Sequence, residues 1–230
     1  MKRLFVFISI MFFVQKIDAQ EQVNKIIDSL YKEDQFYIGV TNNLFGNKPA
    51  DLSQSGFSSG FHLGFIKDMP INKNRNVAIG IGMGYSVNSF NENLLISKDN
   101  LGAVSYTILD DDKTYTKNKF SRHLLELPLE FRWRTSTPSE YNFWRIYTGF
   151  KFSYMFAHTT KYIGDLGSFK YTDIEDFNKF QYALTLSAGY NTWNIYMYYA
   201  LNSIFSNNVN VDGQSLNMNA IKIGLMFYIL

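Results

Sequence analysis

From Phe36 onward the chain alternates apolar and polar residues with a period of two, the spacing of strands that put one face in an apolar phase. Tyr37 to Phe45 alternates loosely. Phe57, Phe61, Leu63 and Phe65 oppose Ser58, Gly60, His62 and Gly64. Val77, Ile79, Ile81, Met83, Tyr85 and Val87 oppose Ala78, Gly80, Gly82, Gly84, Ser86 and Asn88. The clearest stretch is SRHLLELPLEFRWR, Ser121 to Arg134. It sets Leu125, Leu127, Leu129, Phe131 and Trp133 against Arg122, Glu126, Glu130, Arg132 and Arg134. Trp144 to Tyr154, Phe180 to Tyr190, Trp193 to Asn202 and Ile221 to Ile229 continue the pattern. Phe150, Phe152, Ile223, Leu225 and Phe227 fall on the apolar side. Arg145, Lys151, Tyr196, Tyr198 and Lys222 fall on the other. The pattern predicts about eight strands, several long enough to cross a bilayer at a tilt.

The connections alternate in length. Lys67 to Asn76, Thr135 to Asn142 and Asn191-Thr192 are short. Gly46 to Gly56, Asn91 to Phe120, Ala157 to Asn178 and Asn202 to Asn217 are long and polar. Short turns on one rim and long loops on the other are the signature of an outer-membrane barrel. Trp133, Trp144, Tyr190 and Trp193 lie beside the short turns, where an interfacial aromatic girdle belongs. The expected fold is therefore all-β, an eight-stranded antiparallel transmembrane barrel over 35–230. Its apolar face (Leu125, Leu127, Leu129, Phe131, Trp133, Phe150, Phe152, Ile223, Leu225, Phe227) meets lipid. A luminal polar network is expected from Arg122, Glu126, Glu130, Arg132, Arg134, Arg145, Lys151, Lys222, Tyr196 and Tyr198. A barrel of this size has room inside for side chains only, so the network should plug it. Pro128 cannot donate to a ladder, which predicts a bulge or locally broken pairing.

Ahead of the barrel, Val23, Ile26, Ile27, Leu30 and Tyr31 fall at helical spacing. They predict a short amphipathic periplasmic helix over 20–34. Residues 1–19 read as an export signal: basic Lys2-Arg3, an apolar run from Leu4 to Val14, and a cleavage site at Ile17-Asp18-Ala19. Cleavage there removes three of the 22 Lys and Arg and one of the 20 Asp and Glu, leaving 19 of each. A neutral mature chain carries no footprint for nucleic acid. The absence of Cys excludes disulfides, thiolate metal sites and a Cys nucleophile.

Candidate chemistry is sparse. His62 has luminal parity, His123 has lipid-facing parity near the outer rim, and His158 opens a long loop; they share no metal-ligand spacing. Ser121-Arg122-His123 with Asp110-Asp111-Asp112 could be read as a rim catalytic site, but neighbours on a strand point to opposite faces. The acidic run lacks the spacing of a calcium loop. Gly80-Ile-Gly-Met-Gly84 opens no helix, so it is not a phosphate loop, and its luminal glycines make room for bulky neighbours. Neither an enzyme, a cofactor, a metal nor a small-molecule substrate is expected. In the longest loop, Leu94 to Ile96 and Val104 to Leu109 would extend the flanking strands as a hairpin. Apolar Tyr162, Ile163, Phe169 and Tyr171 in the next either mark a partner surface or pack over the barrel mouth.

At Ser121 to Phe156 the chain resembles the PorT family, SprT in gliding bacteria, of Bacteroidota outer-membrane barrels. The resemblance rests on Leu125-Glu126-Leu127-Pro128-Leu129-Glu130, Arg132-Trp133-Arg134 and Trp144-Arg145-Ile146-Tyr147-Thr148-Gly149. It extends more weakly from Phe36 to Leu230. It implies a non-enzymatic component or assembly factor of type IX protein secretion, a pathway that supports gliding motility or protease secretion. The implied partners are outer-membrane lipid and other secretion or outer-membrane proteins. The alternative is a structural or adhesive barrel that binds extracellular ligands through its long loops.

Overall fold

The computed structural model describes residues 32–110, 112–135, 143–206 and 208–229. The export signal and all but the last residues of the expected helix lie outside them. Lys32 to Asp34 carry no regular secondary structure.

Thirteen strands occur among the described residues: β1 (Gln35–Gly46), β2 (Ser59–Pro70), β3 (Val77–Asn91), β4 (Leu94–Lys98), β5 (Val104–Ile108), β6 (Tyr115–Arg134), β7 (Trp144–Gly164), β8 (Gly167–Tyr171), β9 (Phe180–Tyr190), β10 (Trp193–Ala200), β11 (Asn210–Val211), β12 (Gln214–Ser215) and β13 (Asn219–Ile229). Eight of them, β1, β2, β3, β6, β7, β9, β10 and β13, pair antiparallel with their neighbours in chain order, and β1 closes the ring on β13. This is an up-and-down eight-stranded barrel. Burial alternates along every barrel strand, as in BeBeBeB over β1, so the period of two in the sequence is the in-out alternation of the wall.

The turns Ile71–Asn76 and Asn191-Thr192 share one rim with the end of β6 and the start of β7. Asn191 takes φ 54°, a left-handed conformation that asparagine tolerates in a tight turn. Tyr190 pairs with both Trp144 and Trp193 across adjacent ladders, so three of the four expected girdle residues are contiguous there.

The opposite rim departs from expectation. β6 runs 20 residues and β7 runs 21, about twice what a bilayer crossing needs. His158 therefore lies inside β7 and does not open a loop. β8 folds back on the top of β7, from Thr160–Tyr171 to Gly164–Gly167. Leu94 to Lys98 and Val104 to Ile108 do form a hairpin, but as a separate two-stranded sheet and not as an extension of the flanking ladders. At Pro128 the β3–β6 ladder lacks the pairs Gly82–Pro128 and Met83–Leu127 and resumes in the same register at Gly84–Glu126. Across β7 Pro128 pairs with Lys151 without a shift; the bulges lie elsewhere, between Tyr115 and Lys117 and between His123 and Leu124.

Above the wall the long loops pack on one another. Phe45, Phe90, Phe120, Phe177 and Phe205 form a chain of rings with centroids 4.8–5.3 Å apart along its links. Leu52, Leu94, Ile96, Ile174, Ile204 and Leu216 are buried in the same core. Tyr162 of β7 and Phe169 of β8 stack at 5.8 Å beside Leu95 and Leu109, in a smaller cluster separate from that core. Lys98 pairs with Asp173 at 2.6 Å, and Tyr106 donates to Asp176 at 2.7 Å, which ties the β4–β5 hairpin to the loop after β8.

Glu92 sits in this cap, 1% exposed, and its Oε2 has no hydrogen-bond donor. Burial raises its carboxyl well above the ordinary 4.5. The folded cap therefore holds the proton more tightly than the open one. Its stabilisation is complete below about 4.5 and is lost as pH rises through the folded value. Amide exchange of β4 and β5 should accelerate over that rise, and Glu92→Gln should flatten the profile.

Candidate functional site

The inward face carries a dense set of buried titratable groups, arranged in layers. In the layer nearest the short turns, Asp68 from the end of β2 accepts from two arginines of β6. Arg134 reaches both of its carboxylate oxygens at 2.8 Å, and Arg132 reaches Oδ1 at 2.8 Å. A carboxylate gripped this way has the fork geometry that suits guanidinium. Arg132 also donates to Gln35 and to the Glu33 carbonyl, and lies 3.6 Å from Glu130. Its guanidinium stacks 4.1 Å from the Tyr147 ring centroid. Glu33 lies 3.7 Å from Arg134 and its amide donates to Asp68, so the segment entering β1 is fastened into this layer. Arg145 is buried over Phe143 at 4.4 Å.

In the middle layer Glu126 accepts from Lys151 at 2.9 Å and Ser86 at 2.6 Å, with His62 at 3.5 Å. Lys151 lies between the rings of Tyr196 and Tyr37, 5.1 and 5.6 Å from their centroids. Lys222 stands 4.2 Å over Tyr198, and its Nζ has no hydrogen-bond acceptor. The ring of Tyr37 occupies the space beside Gly64 and Gly84; a Cβ at Gly64 would fall 2.6 Å from its hydroxyl. Higher still, Arg122 donates to Gln181 at 2.6 Å and to the Asn178 carbonyl at 3.0 Å, beneath the aromatic cap.

The ten polar residues named from the sequence are thus all buried on the inward side, in separate groups. Arg132, Arg134 and Glu130 meet in the first layer. Glu126, Lys151 and Tyr196 meet in the second, while Lys222 with Tyr198 and Arg122 stand apart from them. Asp68 and Glu33, which hold the arginines, were not anticipated. Asp68 was legible in principle, since the His62, Gly64, Ile66 parity continues to it past the expected strand end. Leu125, Leu127, Leu129, Phe131, Trp133, Phe150, Phe152, Ile223 and Leu225 are exposed on the outer face, and Phe227 is half-buried there.

Of the rim residues weighed as a catalytic site, Asp111 lies outside the described residues. His123 Nδ1 is 2.6 Å from the Tyr85 hydroxyl, Ser121 donates to Ser89, and Arg122 points inward. His62 is 3.2 Å from Thr41, and His158 accepts from the Ile174 amide.

The chain matches the family model described as outer membrane protein beta-barrel domain over residues 19–206. The chain belongs to that family. It is an outer-membrane protein, and its outer face contacts membrane lipid. Among curated proteins none matches it. Solved structures similar to it include Ail, the attachment invasion locus protein of Yersinia pestis, at 12% identity and TM-score 0.34, covering 86% of this chain and 99% of that one.

Within the barrel, the charge pairs differ in what their removal leaves behind. Asp68→Ala strands two buried guanidinium groups and should cost about 3–5 kcal/mol. Lys222→Met removes a buried ammonium without an acceptor and should leave stability unchanged or raised. Thermal unfolding followed by heat-dependent electrophoretic mobility reads both.

Proposed function

We propose that the chain is a non-enzymatic accessory of protein secretion across the outer membrane, a component or assembly factor of the type IX system. The filled lumen is the observation that carries the non-conduit part of this reading. Arg122, Arg132, Arg134, Tyr147, Tyr196, Tyr198 and Lys222 are all buried inside a ring too narrow to hold them and a channel together. A barrel sealed this way acts through its surfaces, the periplasmic rim and the extracellular cap. The type IX assignment itself is supported by the PorT-like residues from Leu125 to Gly149.

A second reading is a structural or adhesive barrel. It is favoured by the long connections, which fold into an ordered cap in which the β4–β5 hairpin is tied to the loop after β8 by Lys98–Asp173 and Tyr106–Asp176. Binding residues are disproportionately carried on loops that a rigid scaffold positions.

Deletion of the gene with plasmid complementation, followed by mass spectrometry of medium and outer membrane, separates them. The secretion reading expects type IX cargo to vanish from the medium while unrelated outer-membrane proteins stay constant. The adhesive reading expects unchanged export, with surface binding lost on trimming the β4–β5 hairpin.

A further inference from the structure

Beyond the outward apolar belt, β6, β7 and β8 continue as a three-stranded sheet. Its ladders place Lys119 directly opposite Lys161, and Lys161 directly opposite Lys170. Lys117 lies two residues along β6 from Lys119, on the same face. That face is the outer one, because the intervening Asn118, Phe120, Thr160 and Tyr162 are buried on the other side. The four lysines are exposed or half-buried. Among the described residues none of them makes an ion pair. The neighbouring loop acids Asp112 and Asp165 are engaged by Lys113 and Thr114.

Like charges directly opposite on adjacent strands destabilise a sheet. Three in a row across strands about 4.8 Å apart form a cationic bar roughly 10 Å wide with no ion-pair partner among the described residues. Its position decides what supplies one. From Phe156, the last aromatic of the outer belt on β7, to Lys161 is five residues. That is roughly 17 Å along the strand and about 13 Å in height at an ordinary barrel tilt. Flexible lysine stems reach back toward the membrane from there. The ammonium groups therefore stand in the headgroup layer, on the same outward face that meets acyl chains below.

We propose that Lys117, Lys119, Lys161 and Lys170 bind phosphate-bearing headgroups of lipids in the outer leaflet, fixing the barrel's extracellular sheet to the membrane surface. A headgroup with two phosphates spans the bar and relieves its self-repulsion. Continuity with the lipid-facing wall favours a membrane source over a soluble anion.

The test uses the full mature barrel in phosphatidylcholine nanodiscs doped with diphosphorylated lipid A or with the same lipid stripped of phosphate. Lipid retained on gentle detergent extraction is counted by native mass spectrometry. Wild type should retain the phosphorylated form preferentially, and K119Q/K161Q/K170Q should lose about fivefold of that preference per lysine. Replacing the same three by Arg should restore it. Heat-dependent electrophoretic mobility confirms that each variant is folded. Equal retention of both lipids by wild type, or an undiminished preference in the folded Gln variant, overturns the proposal. So does displacement of the lipid by free inorganic pyrophosphate, which would make the row a site for soluble anions.

Discussion

A sheet in hydrocarbon cannot leave an edge unpaired, because no water is there to satisfy its N–H and C=O groups. The ladder of β1 on β13 closes this ring and meets that demand, and the other features follow from closure. Eight strands close around a lumen only side-chain wide. One face of each strand must then be apolar, and the other must fill a narrow interior completely. Glycines at 64 and 84 and the large ring of Tyr37 are two sides of one packing problem, since bulk on one strand requires its absence on the next.

Filling that interior with charge is costly unless each charge finds a partner. The structure meets the cost unevenly. Asp68 engages two arginines at once, and Glu126 engages Lys151, Ser86 and His62. Arg145 and Lys222 rely on aromatic faces instead. Cation–π contact serves where no carboxylate is in reach. Above these layers the lining changes from polar to aromatic, and the loops seal the mouth with a core of their own. The result is a wall closed at three levels, with its interaction potential on the outside.

Membership of the outer-membrane barrel family accounts for this architecture and for its location, while activity must be argued from sites. The residues on which the PorT-like resemblance rests have evident work within the wall. Glu126, Glu130, Arg132 and Arg134 fill the lumen, and Leu125, Leu127, Leu129, Phe131 and Trp133 form the outer face. A partner of the proposed kind would therefore meet other surfaces: the short-turn rim near Glu33, the β4–β5 hairpin, or the lysine-bearing sheet of β6 to β8.

The alternation of Leu125 to Trp133 against Arg122 to Arg134 by itself determined the barrel and which residues turn inward. A period-two pattern is local and survives without knowledge of neighbours. The alternating loop lengths likewise set the short connections on one rim and the long ones on the other. Pairing could not be read the same way. That Asp68 lies against Arg132 and Arg134, 64 and 66 residues away, depends on the register of β2, β3 and β6 together. The polar composition of 91–120 and 157–178 concealed how far β6 and β7 continue, since strands above the membrane have no lipid to impose an apolar face. The opposition of Lys119, Lys161 and Lys170 is likewise invisible along the chain. Only the ladder brings three separated lysines abreast, because side chains meet across strands and not along them.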